Sequence, residues 1–150
     1  MYSRILVPID GSATAERGLQ EAIALATQLK SQLVLAHIVD DYPIMVEMAS
    51  AVNFEEARRG MLKFGEQLLE KARQRTAEAG VSCEAVLREV TSIRAADAIV
   101  EEATKRDCKL IVMGTHGRRG FNRLAMGSDA ELVLRESPVP VLLVRRAEPK

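Results

Sequence analysis

The fold predicted by the sequence is α/β: an open, five-stranded, mostly parallel sheet with helices on both faces. Two observations lead to it. Apolar runs of strand length, most clearly 3–9, 33–39, 110–113 and 139–144, are nearly continuous, as in parallel strands covered on both sides. Between them lie stretches whose apolar residues recur at 3.6-residue spacing, the mark of amphipathic helices. Strand and helix in alternation imply right-handed crossovers.

Residues 3–9 form the first strand, and Pro8 near its carboxyl end breaks the local rule, because a central strand there loses a ladder N–H. Ser12 is placed to cap the next helix, on which Leu19, Ile23, Ala26 and Leu29 share a face. Leu33–Val39 is a second buried strand. Residues 40–53, rich in Met and aliphatics, form either a lid or binding loop, or a segment packed beside the following helix. That helix spans 54–79 with Met61, Leu68, Ala72 and Ala79 facing inward, and Gly80 stops it. Residues 83–89 alternate weakly, which suits an edge strand. Thr91 or Ser92 caps a helix carrying Ile93, Ala96, Val100 and Ala103. Leu110–Met113 is a buried strand, 128–136 a short helix and 139–144 the last strand. With no internal repeat, linker or low-complexity stretch, residues 1–150 read as one domain.

Composition narrows the function classes. Twenty-one basic and twenty-one acidic residues cancel, so no net field draws the chain to nucleic acid or to an acidic membrane. Two Tyr, three Phe and no Trp leave little aromatic surface for stacking bases. The chain enters its first strand without a charged-then-apolar leader and has no apolar run of about 18 residues, so a soluble, cytoplasmic protein is expected. Cys83 and Cys108 form no C-x-x-C and read as small core residues. His37 and His116 are too isolated to suggest a zinc site.

The chemistry concentrates in Ile111-Val112-Met113-Gly114-Thr115-His116-Gly117-Arg118-Arg119-Gly120-Phe121-Asn122-Arg123-Leu124-Ala125-Met126-Gly127-Ser128. The pattern G-x2-G-x9-G-S leaves an apolar strand, crosses a loop with three arginines and enters a helix. Glycines let backbone N–H groups approach an anion without a Cβ in the way. A helix start offers unpaired N–H donors and the positive end of its dipole, and arginine offers a fork matched to phosphate oxygens. The run therefore reads as a phosphate-binding loop; the plainer alternative is a glycine-rich turn. It is not a Walker loop, since no lysine precedes Ser128.

This spacing, together with Arg4-Ile5-Leu6-Val7-Pro8-Ile9-Asp10-Gly11-Ser12 and Ser137-Pro138-Val139-Pro140-Val141-Leu142-Leu143-Val144, resembles the universal stress protein family, more narrowly its ATP-binding branch. The resemblance covers essentially the whole chain. It implies a Rossmann-like sheet of the adenine-nucleotide alpha-hydrolase type, strand order 3-2-1-4-5. Strand order then reverses between strands one and four, where ligands of open α/β sheets bind. Pro8-Ile9-Asp10 and Met113-Gly114 would face each other there. The resemblance further implies adenine at the backbone of Ile38 with Pro8 close by, ribose near Asp10, Met113 and Gly114, and phosphates on Gly117, Arg118, Arg119, Gly127 and Ser128. ATP, ADP or AMP with Mg²⁺ is the expected ligand. Asp10 either contacts ribose or Mg²⁺, or only closes an Asp-Gly-Ser turn and caps the first helix.

Asp129 departs from the family pattern, which places a small apolar or hydroxyl residue after Gly-Ser, and Ala130 lacks the hydroxyl that follows it. A carboxylate about 6 Å from a phosphate charge costs roughly 3 kcal/mol at an effective dielectric near 20. Placement in the first helical turn returns about 0.3–1 kcal/mol. AMP or ADP would suffer less than ATP. Two functions are therefore expected: a nucleotide-binding regulatory module in which ATP occupancy switches partner binding in the stress response, or a nucleotide-independent dimeric interaction protein weakened by Asp129. A dedicated enzyme is not expected, because no activated nucleophile, Ser-His-Asp set or catalytic carboxylate pair is visible. Slow ATP hydrolysis or self-phosphorylation would fall on Thr115 or Ser128, with His116 as the nearest base. Val139, Val141, Leu142, Leu143 and Val144 form an apolar strand that this order puts at the sheet edge, and pairing with a second copy would cover it.

Overall fold

Five parallel strands form one sheet in the order β3-β2-β1-β4-β5. A computed structural model describes residues 1–47, 51–116 and 126–146. The elements run β1 (Arg4–Pro8), α1 (Ala13–Leu29), β2 (Gln32–Asp40), α2 (Tyr42–Glu47), α3 (Ala51–Glu78), β3 (Cys83–Val90), α4 (Ala95–Lys105), β4 (Leu110–Gly114), α5 (Ser128–Glu136) and β5 (Val141–Val144). The expected fold and strand order are both present.

Side chains alternate across each strand, so every central strand feeds two cores. Ile5 and Val7 of β1, Leu33 and Leu35 of β2, and Leu110 and Val112 of β4 meet Leu19, Ala22 and Ala26 of α1 and Leu69 and Ala72 of α3. Leu6, Val34, Ala36, Ile111 and Met113 point the other way, onto Ala96, Ile99 and Ala103 of α4 and Ala130 and Val133 of α5. Burying a strand on both faces is what makes its sequence a continuous apolar run. Cys108 is buried and Cys83 half-buried, and burial pushes both thiols above the ordinary cysteine pKa. Among the described residues no helix is long and apolar enough to cross a membrane.

Several expected details differ. Leu29 and Ala79 are exposed, not inward-facing: each sits at its helix's C-terminal end, where the apolar spacing outruns the covering sheet. Thr91 and Ser92 do not cap α4, and Ile93 precedes it; the N-cap is Arg94, whose N–H donates to Asp97 Oδ2 at 3.2 Å. Within 40–53, residues 42–47 are helical and α3 begins at Ala51, with Tyr42, Met45 and Val46 exposed, while 48–50 lie outside the described residues. The last strand starts at Val141, because Pro138 and Pro140 supply no N–H to a ladder. Ser12 does cap α1, accepting from Ala15 N–H at 3.1 Å, and Gly80 ends α3's exit turn at φ +73°.

Candidate functional site

The sheet opens where its strand order reverses. β1 pairs with β2 over its whole length, from Arg4–Gln32 to Pro8–Ala36. Against β4 it pairs only at Ile5–Leu110 and Leu6–Ile111. Beyond that point the ladder between β1 and β4 ends, and Pro8–Asp10 and Met113–Gly114 stand at the carboxyl ends of the two strands, the place where open α/β sheets bind ligands in a crevice. Pro8 has a physical reason to be there. The Arg4 carbonyl accepts Lys109 N–H at 2.8 Å, so Arg4 and, by alternation, Leu6 and Pro8 turn their peptide groups toward β4. The N–H that proline lacks would point to the side where the ladder has already ended.

The β2 border is set by the same alternation. Ile9 N–H donates to the Ala36 carbonyl at 2.8 Å, so Ala36 faces β1. Ile38, two residues on, turns its N–H and C=O the same way, past the end of β1. A donor and an acceptor thus stand side by side on this rim. His37 fixes the adjoining turn: its Nδ1 bonds the Ile9 carbonyl at 2.6 Å and therefore carries the proton. The ring is buried against Phe64 of α3, with which it makes an edge contact at 6.4 Å. Gly65 leaves room for it, since a Cβ there would lie 2.4 Å from His37 Cδ2.

Asp10 closes the turn after β1. Its Oδ1 accepts Ser12 N–H at 2.8 Å, with Gly11 between them at φ +84°. One carboxylate oxygen is used in the turn, so turn closure and ligand contact are compatible roles. Among the described residues no three His, Cys, Asp or Glu side chains converge to hold a metal ion.

Gly114 has a packing role as well. A Cβ on it would fall 2.6 Å from the Thr14 carbonyl carbon and 2.7 Å from its oxygen, while a Cβ on Gly18 would lie 3.3 Å from Gly114 N. Its missing side chain lets α1 seat on β4. Gly117, Arg118 and Arg119 lie outside the described residues. Past them, Gly127 N–H donates to the Thr115 carbonyl at 2.7 Å, which sets the start of α5 beside the end of β4. Gly127 is the N-cap of α5 in an extended conformation and has no side chain with which to cap it. A helix start is where backbone N–H groups lack intrahelical partners. Ser128 and Asp129 are exposed in this first turn, and Ala130 is buried.

Thr115 Oγ1 lies 3.0 Å from His116 Nδ1, but Thr115 is buried, so of the two hydroxyls named above only Ser128 is open to solvent. At the sheet edge, Val139, Val141 and Leu143 are half-buried, Leu142 is exposed and Val144 is buried. A separate groove of about 540 Å³ lies between β3 and α4. Its Glu102 is buried and paired with Arg88 at 3.2 Å and Arg106 at 2.8 Å. It is two strands from the crevice and its charges are largely neutralised by one another.

Comparison with known proteins agrees with this architecture. The sequence model of the universal stress protein family matches residues 1–145. A universal stress protein of Methanocaldococcus jannaschii is 31% identical over 146 residues, covering 97% of this chain and 84% of the relative. The solved structure of another protein of that organism, whose biochemical function was assigned from its structure, superposes with a TM-score of 0.86 at 27% identity, over 99% of both chains. An Arabidopsis thaliana universal stress protein family member, solved with AMP bound, shares the fold at 18% identity with a TM-score of 0.69, over 97% of this chain and 92% of that one.

Proposed function

Since the chain belongs to the universal stress protein family, we propose that it is an adenine-nucleotide-binding regulatory protein of the cytoplasm, one domain over residues 1–150, with its ligand in the crevice between β1 and β4. The observation that carries this is the amino end of α5. A helix start whose N-cap, Gly127, is tied to Thr115 and offers no side-chain cap, preceded in sequence by three arginines, suits phosphate. In this reading Gly117, Arg118, Arg119, Gly127 and Ser128 hold the phosphates. Asp10, Met113 and Gly114 border the ribose.

The base lies along Ile38 with Pro8 beside it. The N–H and C=O of Ile38 present the donor and acceptor that adenine's N1 and exocyclic amine require, whereas guanine presents donors where adenine accepts. The AMP in the Arabidopsis relative supports the ligand class. Asp10 would hold a Mg²⁺ ion that accompanies the nucleotide, its carboxylate supplying a hard oxygen ligand. Nucleotide occupancy acts as a switch on partner binding, in a homodimer joined through β5. Any turnover is limited to slow hydrolysis or transfer to Ser128.

One observation favours a second reading. Asp129 and Glu131 both stand in the first turn of α5, where they occupy the positive end of the dipole themselves. If they exclude the outer phosphates, the protein is a dimeric interaction module that works without nucleotide. Denaturing the purified protein and identifying what it releases by mass spectrometry separates the two. An adenine nucleotide is expected; a stoichiometric ligand of another class would contradict the proposal.

A further inference from the structure

A line of polar contacts joins the start of α1 to the root of the loop after β4. Asp10 Oδ1 accepts Ser12 N–H at 2.8 Å, and Ser12 Oγ lies 3.3 Å from Thr14 Oγ1. Thr14 Oγ1 in turn donates to the His116 carbonyl, 102 residues away in sequence. One residue back, the Thr115 carbonyl accepts Gly127 N–H at 2.7 Å. Two consecutive carbonyls at the loop's root are thus held, one by α1 and the other by the start of α5.

Thr14 is suited to this. It is 8% exposed, and its backbone is pressed against Gly114, so its hydroxyl has little freedom to turn elsewhere. A threonine in a first helical turn ordinarily bonds locally, to its own helix. Here the hydroxyl is spent on a distant backbone carbonyl. Gly127 contributes no side-chain cap, so its backbone bond to Thr115, beside the core packing of Ala130 and Val133, helps set the amino end of α5. Donors fixed before a ligand arrives bind more tightly than donors the ligand must order.

We infer that Thr14 is a positioning residue for the phosphate half of the site, an inference that rests on the adenine-nucleotide reading above. Its hydroxyl acts through a backbone carbonyl and not on the ligand. It holds His116 and, through the adjoining Thr115 carbonyl, the Gly127 N–H and the first turn of α5. Its effect therefore falls on phosphates and spares the nucleoside.

The test compares wild type, Thr14→Val and Thr14→Ser by calorimetry with ATP, ADP and adenosine. Thr14→Val removes one hydrogen bond at nearly constant volume. It should weaken ATP and ADP by about fivefold to tenfold, and adenosine by less than about twofold. Thr14→Ser keeps the hydroxyl and should recover most of the affinity. Equal losses for ATP and adenosine, no loss at all, or no recovery with serine would each overturn the inference. Amide hydrogen exchange at Gly127 without nucleotide gives an independent readout: Thr14→Val should speed it about tenfold and Thr14→Ser should not. A wild-type protein that binds neither ATP nor adenosine refutes the proposed function. Unchanged Gly127 exchange in Thr14→Val refutes the role of Thr14 whatever the ligand.

Discussion

Replacing Gly114 by alanine puts a methyl group where the first turn of α1 already stands. The added Cβ would lie 2.6 Å from the Thr14 carbonyl carbon, 2.7 Å from its oxygen and 2.8 Å from its Cβ. Carbon atoms in contact rest about 3.5–4.0 Å apart, so the overlap is roughly 1 Å. Two of the three atoms are backbone and cannot rotate aside, which means that α1 must retreat from β4. Overpacking of this kind costs about 1–3 kcal/mol. The retreat also strains the bond from Thr14 to His116, worth about 1 kcal/mol. Together these give about 2–4 kcal/mol, or a fall in melting temperature of roughly 5–15 °C for a chain of this size. Gly60→Ala is the control. Gly60 is exposed inside α3 with nothing within 4 Å of its missing Cβ, so alanine there should stabilise by about 0.5–1 kcal/mol. Thermal and urea unfolding followed by circular dichroism would measure both. A Gly114→Ala protein melting within about 2 °C of wild type, or a destabilised Gly60→Ala, would refute the packing argument.

Asp129→Val should tighten ATP by roughly 20-fold to 70-fold and AMP by less, because removing a carboxylate about 6 Å from the outer phosphates relieves more repulsion than the helix dipole loses; weaker ATP binding in titration calorimetry would instead make Asp129 a metal ligand. Gly127→Val should abolish nucleotide binding while leaving the circular dichroism spectrum unchanged, since φ −60° at Gly127 suits any residue and only the ligand's approach is blocked; retained affinity would remove Gly127 from the cradle. Leu142→Lys should turn a dimer into a monomer of 16.5 kDa by light scattering, through a charge placed on the exposed position of the edge strand β5; a wild-type protein that is already monomeric at micromolar concentration contradicts the β5 dimer.

Much of the fold was legible because parallel strands buried on both faces write themselves as unbroken apolar runs, as Leu33–Val39 and Leu110–Met113 do within β2 and β4. Helix α5 matched at both ends, set off by Gly127 before it and Ser137 after it. Helix α4 did not, because Thr91 and Ser92 offer better capping side chains than Arg94, and the chain settles on Arg94 through a carboxylate three residues later. The site's outline was visible in the glycine spacing, but the purpose of Gly114 was not, since the Thr14 backbone that demands it lies far away in sequence. The roles of Thr14 and His37 were hidden for a related reason. Both act on backbone carbonyls, His116 and Ile9, and a carbonyl leaves no trace in the residue that bears it. Only an isolated polar residue in an otherwise apolar strand, as His37 is in β2, could have pointed to such a contact.

The central claim is that an adenine nucleotide occupies the crevice between β1 and β4, and titration calorimetry of ATP, ADP and AMP with Mg²⁺ into nucleotide-free protein tests it most directly. One site per chain with a dissociation constant between micromolar and sub-millimolar is the predicted result. At about one hundred times that constant the nucleotide should also stabilise the fold by about 2.7 kcal/mol, a rise of roughly 5–10 °C in melting temperature. No heat and no shift in melting temperature at millimolar nucleotide would contradict the account.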